Sequence, residues 1–358
     1  MSCYLVAMLG IAALFLSTCR IPKALGNGGI TREQTDSLKV ITSLYIIIGH
    51  FVKIMDKPAW FSTVMGYAWI DVGVFFFISG YGLAYGYYNK RNYLKDFWKR
   101  LLKVVIPYLL AHVVYIIGRV ITGGSLSIKN ILIVIPGIYT LVSYSTDWYV
   151  SVCILFYVLF WLIYRTKLQD KQKLSLIFLS ICAFICIESY VLHLSDYWWM
   201  NLLPFWGGLL ASTMIQRYGG TALNKRRWLC ASAICIVGYA AAFAGAPLSN
   251  RLTGNYLYEV FYNLMSLFGV GLVILIYSRI GRGNVLTKRL APITFEIYLY
   301  HGLFIQIFRC DHLYIANDIA FLFAVYGATF VLSYVMHKIS EAILNLIGCG
   351  RTSVKKGA

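Results

Sequence analysis

Two histidines lie in apolar stretches of this sequence, each at a fixed distance beyond a basic residue. Lys39 precedes His50 by eleven positions in the run DSLKVITSLYIIIGH, and Arg289 precedes His301 by twelve. A neutral imidazole can accept a proton near pH 7, and a lysine or arginine cation can bind a phosphate group. The spacing therefore pairs candidate general bases with candidate anion-binding residues.

The densest basic cluster of the chain ends in Arg100 and Lys103, with Pro107 soon after. Residues three apart share one face of a helix, so both cations point in a similar direction at the end of an apolar stretch. Such a pair suits the phosphates of a nucleotide-like ligand. A stop signal that also contacts anionic lipid is the structural alternative.

Other polar residues inside or beside apolar stretches are rare, and ionisable groups are costly in lipid, so each one is a candidate for a site or for a buried structural pair. Ser79 belongs to a run of small residues that also permits close helix packing, and Trp148 stands where an interfacial aromatic residue is ordinary. Glu296 would need a partner or a proton. The candidates of this kind are Asp71, Ser79, Asp147, Trp148, Glu296 and Tyr298.

The composition indicates a membrane protein. Of 358 residues, 59% are hydrophobic and 13% charged, where soluble domains have about 45 to 50% and about 25%. The net charge of +18 lies in short gaps between apolar runs rather than on one soluble face, so nucleic acid is not the expected partner. The nine cysteines show no CxxC or zinc spacing, and we predict no metal site and no bound cofactor.

The apolar runs predict an all-α, polytopic transmembrane bundle of about eleven spans, ten in a core and one extra at the N-terminus. A further apolar stretch at 131–142 is too short to cross the bilayer and would be re-entrant or interfacial. The predicted spans are 3–19, 40–55, 68–88, 101–121, 148–164, 174–192, 197–216, 229–246, 257–278, 291–309 and 315–337.

The basic residues predict the orientation. All but six of the 32 Lys and Arg residues lie in alternate gaps, which the positive-inside rule makes cytoplasmic, with the N-terminus outside and the C-terminus inside. Lys39 then lies at the cytoplasmic interface and His50 about 16 Å further out, at roughly 1.5 Å per residue. His301 lies at a similar depth, with Glu296 nearer the cytoplasm.

The first apolar segment has a second interpretation, as a signal peptide. However, no positive residue precedes it and two follow closely, which is the reverse of a secretory signal. We therefore favour an additional transmembrane helix.

Taken in order, these motifs resemble those of the acyltransferase 3 family of multi-pass membrane O-acyltransferases. That family opens its first core helix with a basic residue, ten residues and a histidine, as Lys39 and His50 do. An aromatic stretch that ends in Ser-Gly follows, here DVGVFFFISGYG. The next family motif is Arg, two residues, Arg and then Pro, matched by Arg100, Lys103 and Pro107, although the lysine weakens bidentate binding there.

Two later motifs extend the resemblance. A Trp-Tyr pair at the start of a helix matches Trp148 and Tyr149, which follow Asp147, and a late Tyr, two residues, His matches Tyr298 and His301. The implied division of the chain is an extra helix with a cytoplasmic linker at 1–32, a membrane acyltransferase domain at 33–340 and a cytoplasmic tail at 341–358.

The resemblance implies a cytoplasmic acyl-CoA donor, usually acetyl-CoA, and a hydroxyl acceptor, often a cell-envelope glycan or lipid-linked sugar, in the plasma membrane of a bacterial cell. Lys39, Arg100 and Lys103 would hold the CoA phosphates. His50 would be the general base or would carry the acyl group covalently. The acceptor would meet aromatic rings and outer-side carboxylates, which are Asp56, Asp71, Asp147, Glu188, Asp196, Glu259, Asp311 and Asp318.

Asp71 and His301 are candidates for supporting roles in the reaction. Asp71 would orient or pair with a histidine, and His301 would either stabilise the oxyanion or relay the proton. The same buried polar residues also fit a transporter or flippase for a lipid-linked saccharide, in which they would line a translocation path. A glycan polymerase shares the span number and basic loops but does not require the spacing of Lys39 and His50.

Overall fold

The structure is a computed structural model and describes residues 3–19, 30–51, 54, 69–123, 148–193, 196–219, 224–253 and 257–349. The chain divides into two compact units. The first comprises Met1–Tyr93 and Leu159–Ala291, and the second comprises Leu94–Val158 and Pro292–Ala358. The apolar stretch 131–142 and Asp147 lie outside the described residues.

The described residues are almost all helical, as the apolar runs predict. The helices are α1 (Cys3–Ser17), α2 (Arg32–Phe51), α3 (Trp69–Asn89), α4 (Phe97–Ile121), α5 (Trp148–Tyr164), α6 (Asp170–Cys186), α7 (Leu203–Tyr218), α8 (Lys225–Thr253), α9 (Tyr258–Ile280), α10 (Val285–Leu290), α11 (Thr294–Ile307) and α12 (Asp318–Leu346). A π-helix at Ile187–Val191 continues α6, and short 3-10 turns lie at Asp196–Trp198 and Ala291–Ile293.

Six of the described helices are long and apolar enough to cross a bilayer, namely α3, α4, α6 with its π-helical continuation, α8, α9 and α12. The all-α membrane fold is therefore confirmed. Each predicted span overlaps a helix, but α1 and α5 are shorter apolar helices, α2, α7 and α11 fall in neither group, and the number of crossings stays a prediction.

Several helix ends differ from the predicted span ends, and ordinary helix signals explain two of these differences. The span placed at 197–216 begins as α7 only at Leu203, because Pro204 occupies its first turn, where proline is favoured. The last span does not end at 337 but continues to Leu346. Gly348 then adopts a φ of 70°, and Cys349 N donates to Leu344 O at 2.7 Å, a Schellman ending that satisfies the last carbonyls.

The closest helix contact of the first unit joins α3 to α7 through glycines. A Cβ atom on Gly80 would lie 2.1 Å from the carbonyl oxygen of Phe205, and one on Gly208 would lie 2.0 Å from that of Phe77. Only a residue without a side chain permits backbones to approach this far. The interpretation of this small-residue run as packing is confirmed for Gly80, and Ser79 beside it is half-buried.

We expect Gly80→Ala to lower the thermal unfolding midpoint of the purified protein by several degrees. The added methyl group meets backbone atoms that cannot rotate away, and overpacking of this kind costs about 1 to 3 kcal/mol. Gly327→Ala on α12 is the matched control, since nothing lies within 4 Å of its Cβ position. Because alanine is the better helix former, the control midpoint stays equal or rises. Equal midpoints in both variants would contradict the close contact.

The end of α1 is tied to the first unit by hydrogen bonds. Thr18 is fully buried, its hydroxyl accepts from the Tyr277 hydroxyl at 2.8 Å, and its carbonyl accepts from Arg282 N at 2.7 Å. Asn284 Nδ2 also donates to Ser17 Oγ at 2.7 Å. These bonds hold α1 against the end of α9 and the start of α10.

The second unit is built from α4, the first part of α5, α11 and α12. The α4 and α11 helices meet where Gly118 faces Leu303, and the Tyr115 hydroxyl donates to Leu299 O at 3.1 Å. A β-hairpin, in which β1 (Arg309–Cys310) pairs with β2 (Leu313–Tyr314), joins α11 to α12. This arrangement places one end of α4 beside the start of α11 and the end of α12.

Candidate functional site

The candidate residues fall into both units. Lys39, His50, Asp71 and Ser79 belong to the first unit. The second unit holds a larger set, Arg100, Lys103, Trp148, Glu296, Tyr298 and His301.

A cleft of about 330 Å³ lies within the second unit, between the beginning of α4, the beginning of α11 and the end of α12. Lys103 and Glu296, two of the residues that the sequence singles out, both line it. Its other lining residues are Pro107, Pro292, Phe295, His337, Ser340, Glu341, Leu344 and Asn345. The cleft thus combines one exposed cation, two carboxylates, an imidazole and an apolar wall.

Glu296 is almost fully buried, with 3% of its surface exposed, and His337 is its partner. His337 Nδ1 lies 2.8 Å from Glu296 Oε1, and His337 Nε2 lies 3.4 Å from Glu341 Oε1. Glu341 Oε2 in turn accepts from Lys338 Nζ at 3.0 Å. The sequence-based requirement that the buried carboxylate has a partner is therefore met, through a network that leads from the exposed Lys338 to the buried Glu296.

His301 lies five residues beyond Glu296 on α11, about 7.5 Å further along the helix axis at roughly 1.5 Å per residue. Its side chain is fully buried. The ring atom Nδ1 lies 2.7 Å from the Tyr298 carbonyl oxygen, which can only accept, so Nδ1 carries the proton. In the neutral ring this leaves Nε2 as a proton acceptor.

A chain of aromatic contacts links three candidate residues of the second unit. The rings of Trp148 and Tyr149 have centroids 6.5 Å apart, those of Tyr149 and Tyr298 are 5.4 Å apart, and those of Tyr298 and His301 are 5.9 Å apart. All four side chains are buried. The Trp-Tyr pair at the start of α5 is therefore connected to the buried imidazole through the ring of Tyr298.

Arg100 and Lys103 do not play the same part in the second unit. Lys103 lines the cleft, whereas the guanidinium of Arg100 lies 5.8 Å from the centroid of the Tyr157 ring, a cation–π distance. At about 100° per residue, two side chains three positions apart on a helix point in directions that differ by about 60°. That difference separates the two cations.

In the first unit, Lys39 forms an ion pair and Asp71 lies near a tyrosine. Lys39 Nζ forms an ion pair with Asp36 Oδ1 at 2.7 Å, one turn earlier on α2. Asp71, in the first turn of α3, lies within electrostatic range of the Tyr45 hydroxyl on α2. His50 is half-buried in the last turn of α2. The end of α2 and the start of α3 thus bring His50 and Asp71 to the same end of the unit.

A run of aromatic rings in the first unit lies near the start of α9. Trp69 and Tyr262 have centroids 5.6 Å apart, Tyr262 and Tyr258 are 4.2 Å apart, and Tyr258 and Trp199 are 6.0 Å apart. Trp69, Tyr258 and Tyr262 are half-buried, while Trp199 is buried. Because Trp69 and Asp71 share the first turn of α3, these rings lie at the end of the unit that carries Asp71.

Glu259 in the first turn of α9 anchors the end of α6. The π-helix at Ile187–Val191 is marked by Leu192 N donating to Ile187 O at 2.9 Å. It directs two consecutive hydroxyls to one carboxylate, since Ser189 Oγ donates to Glu259 Oε1 at 2.5 Å and the Tyr190 hydroxyl donates to Oε2 at 2.9 Å. π-Helical turns are rare and frequently lie at functional sites.

Sequence reasoning missed His337, Ser340 and Glu341 in the cleft. A usable signal exists, because the three residues lie at spacings of three and four, on one face of a largely apolar helix. Among the described residues, no group of three or more His, Cys, Asp or Glu side chains is arranged to hold a metal ion.

A comparison with protein families matches residues 32–338 to an acyltransferase domain, that of the acyltransferase 3 family. The match includes α2 to α11 and most of α12, and so contains both candidate histidines and the part of the cleft lining that lies before residue 339. Searches of the curated proteins and of the solved structures found no match.

Proposed function

The chain belongs to the acyltransferase 3 family and is a membrane acyltransferase, and from this we propose that it moves an acyl group, acetyl in the simplest case, from a coenzyme A thioester to a hydroxyl group. The proposed acceptor is a cell-envelope glycan or a lipid-linked sugar. The proposed location is the plasma membrane of a bacterial cell, with the N-terminus outside, the C-terminus in the cytoplasm and the donor arriving from the cytoplasm.

One observation carries the donor part of the proposal. Within the second unit, a cleft lined by the exposed Lys103 lies at the start of the helix whose interior carries the buried His301. An exposed cation that lines the cleft suits the phosphates of the donor, and a buried imidazole suits chemistry away from bulk water. Arg100 and Lys39 are proposed as additional phosphate ligands on the basis of the family motifs.

The reaction joins the acceptor oxygen to the acyl carbon and breaks the bond between that carbon and sulfur. A base removes the acceptor hydroxyl proton, and the departing thiolate takes up a proton to become free coenzyme A. We propose His50 as that base, with Asp71 orienting an imidazole. An acyl-imidazole intermediate is the covalent alternative.

For His301, the hydrogen bond from Nδ1 to the Tyr298 carbonyl supports one of its two proposed roles. With that proton placed, the neutral ring offers Nε2 as an acceptor and not as a donor. An oxyanion needs a donor, whereas a proton relay needs a group that can accept and release a proton. We therefore propose the relay.

The experiment that tests the function uses the purified full chain in detergent with acetyl-CoA and an envelope glycan fraction. Release of free thiol that depends on added glycan, together with a gain of one acyl group in the glycan by mass spectrometry, supports the proposal. In vesicles, movement of a lipid-linked saccharide without any acyl transfer would support the transporter alternative and overturn the enzymatic proposal. Loss of the same acyl group from glycans of a strain that lacks the chain would identify the acceptor.

The aromatic run of the first unit gives a prediction about the acceptor. Aromatic faces with nearby carboxylates suit saccharide rings, and Tyr262 lies in the middle of the run. We expect Tyr262→Ala to raise the acceptor KM about two- to tenfold, the factor that corresponds to about 0.5 to 1.5 kcal/mol for one aromatic contact. Tyr262→Phe keeps the ring and retains the parental KM. An unchanged acceptor KM in Tyr262→Ala would show that the rings only pack.

A further inference from the structure

Two buried polar atoms in the cleft of the second unit have no hydrogen-bond partner among the described residues. They are Glu296 Oε2 and Ser340 Oγ, on residues that are 3% and 2% exposed, and both residues line the cleft. Buried polar groups in folded proteins are nearly always hydrogen-bonded, and an unpaired carboxylate oxygen is especially costly. A ligand that supplies hydrogen-bonding groups at this place would satisfy both.

The free oxygen of Glu296 is held in a fixed direction. His337 occupies the other oxygen, Oε1, at 2.8 Å, and Glu341 lies on the opposite side of the imidazole at 3.4 Å. His337 therefore sets the rotamer of a carboxylate on a different helix. An acceptor whose orientation is fixed before binding recognises a donor at lower entropic cost.

The chemistry of the cleft restricts its ligand. An ionised carboxylate oxygen only accepts hydrogen bonds, a serine hydroxyl accepts or donates, and Lys103 binds an anion. The wall is apolar, formed by Pro107, Phe295 and Leu344. A ligand that fits carries N–H or O–H groups along an otherwise apolar arm, and a phosphate at the end of that arm.

We propose that this cleft binds the amide-bearing arm of the acyl-CoA donor, with Glu296 Oε2 accepting from an amide N–H, Ser340 bonding to a neighbouring polar group of the arm, and His337 positioning Glu296. This inference rests on the proposed function and adds a binding role for residues outside the family motifs. In this arrangement the phosphate end of the arm lies at Lys103 on α4. From there the arm passes Glu296 on α11 and points in the direction of His301.

The test compares thioester donors that differ in their polar groups. Initial rates are measured with acetyl-CoA, with S-acetyl-N-acetylcysteamine, which keeps an amide but has no phosphate, and with S-ethyl thioacetate, which has neither. In Glu296→Gln we expect the KM for the first two donors to rise about tenfold, because a hydrogen bond to a charged acceptor is lost or weakened. The KM for S-ethyl thioacetate and the kcat with acetyl-CoA stay close to the parental values.

Two variants of His337 test whether this residue positions the Glu296 carboxylate. His337→Leu removes the partner of Glu296 and reproduces the amide-dependent rise in KM. His337→Asn keeps an N–H group near the position of Nδ1 and restores most of the parental KM. A purely structural role would lower the unfolding midpoint equally in both variants without separating the amide and amide-free donors.

The serine has a matched control on the same helix. Ser333 is also buried, and its hydroxyl also has no partner among the described residues, but it does not line the cleft. Ser340→Ala is expected to raise the acetyl-CoA KM severalfold, whereas Ser333→Ala does not. Equal effects of the two substitutions would overturn the assignment of Ser340.

Failure of this inference can be distinguished from failure of the proposed function. If the parental protein turns over no thioester, the proposed function fails, and binding of coenzyme A itself is then measured by equilibrium dialysis. A Kd that is the same for the parental protein and Glu296→Gln overturns the inference. An ethanolamine phospholipid offers a similar amine and phosphate, so loss of co-purified phosphatidylethanolamine from Glu296→Gln with an unchanged donor KM would assign the cleft to lipid and also overturn it.

Discussion

Replacing His50 by alanine is expected to reduce acyl transfer by a factor of about 10² to 10⁴, the range that a positioned general base contributes. His50 is half-buried in the last turn of α2, and Asp71 lies at the same end of the first unit. Expression and the unfolding midpoint should stay near the parental values, because the substitution removes no tightly packed apolar group. The measurement is the initial rate of thiol release with acetyl-CoA at saturating acceptor.

The control for this variant is a histidine that belongs to neither candidate site. His312 lies in the exposed turn of the β-hairpin that joins α11 to α12, and His312→Ala is expected to keep the full rate. A fully active His50→Ala protein would exclude His50 as base and as acyl carrier. Trapping of an acetylated protein that disappears in His50→Ala would distinguish the covalent route from simple proton abstraction.

The second large effect is expected at Lys103. Lys103→Ala should raise the KM for acetyl-CoA about tenfold at low ionic strength, because a charge-assisted contact to phosphate contributes about 1.5 to 3 kcal/mol and exposure reduces it toward the lower end. The effect should decline as salt is added. With S-acetyl-N-acetylcysteamine, which has no phosphate, the variant and the parental protein should share the same KM.

Lys99 provides the matched control for Lys103. It is a half-buried lysine one turn earlier on α4, paired with Asp96 at 2.9 Å, and it does not line the cleft. Lys99→Ala is therefore expected to leave the acetyl-CoA KM unchanged. Equal rises in both variants would show that the general positive charge of α4 attracts the donor and that Lys103 has no specific contact.

Hydropathy alone located the long helices among the described residues, because each bilayer crossing needs about 20 predominantly apolar residues in a row. Two helix ends that differ from the predicted span ends have causes that the sequence shows. Pro204 favours the start of a helix and Gly348 favours the end of one, both through backbone geometry. Local rules of this kind predict an element and its ends without any knowledge of its neighbours.

The partnership of Glu296 and His337 could not be predicted in that way. The two residues are 41 positions apart, and they meet only because α12 is rotated so that one particular face contacts α11. In a membrane helix the lipid side and the protein side are both apolar, so the hydrophobic pattern does not report that rotation. Arg100 illustrates the same limit, since a shared helix face with Lys103 did not decide that its guanidinium packs on Tyr157.

The π-helix at the end of α6 makes this part of the chain sensitive to residue number. An i to i+5 bond accommodates one residue more per turn than the α-helical i to i+4 bond, and that widened turn lets Ser189 and Tyr190 converge on Glu259. A deletion of one residue between 187 and 191 would restore the regular helix and rotate one of these hydroxyls off its carboxylate. A change of one residue in the length of this turn would thus alter the contact between the end of α6 and the start of α9, even if Ser189, Tyr190 and Glu259 were all retained.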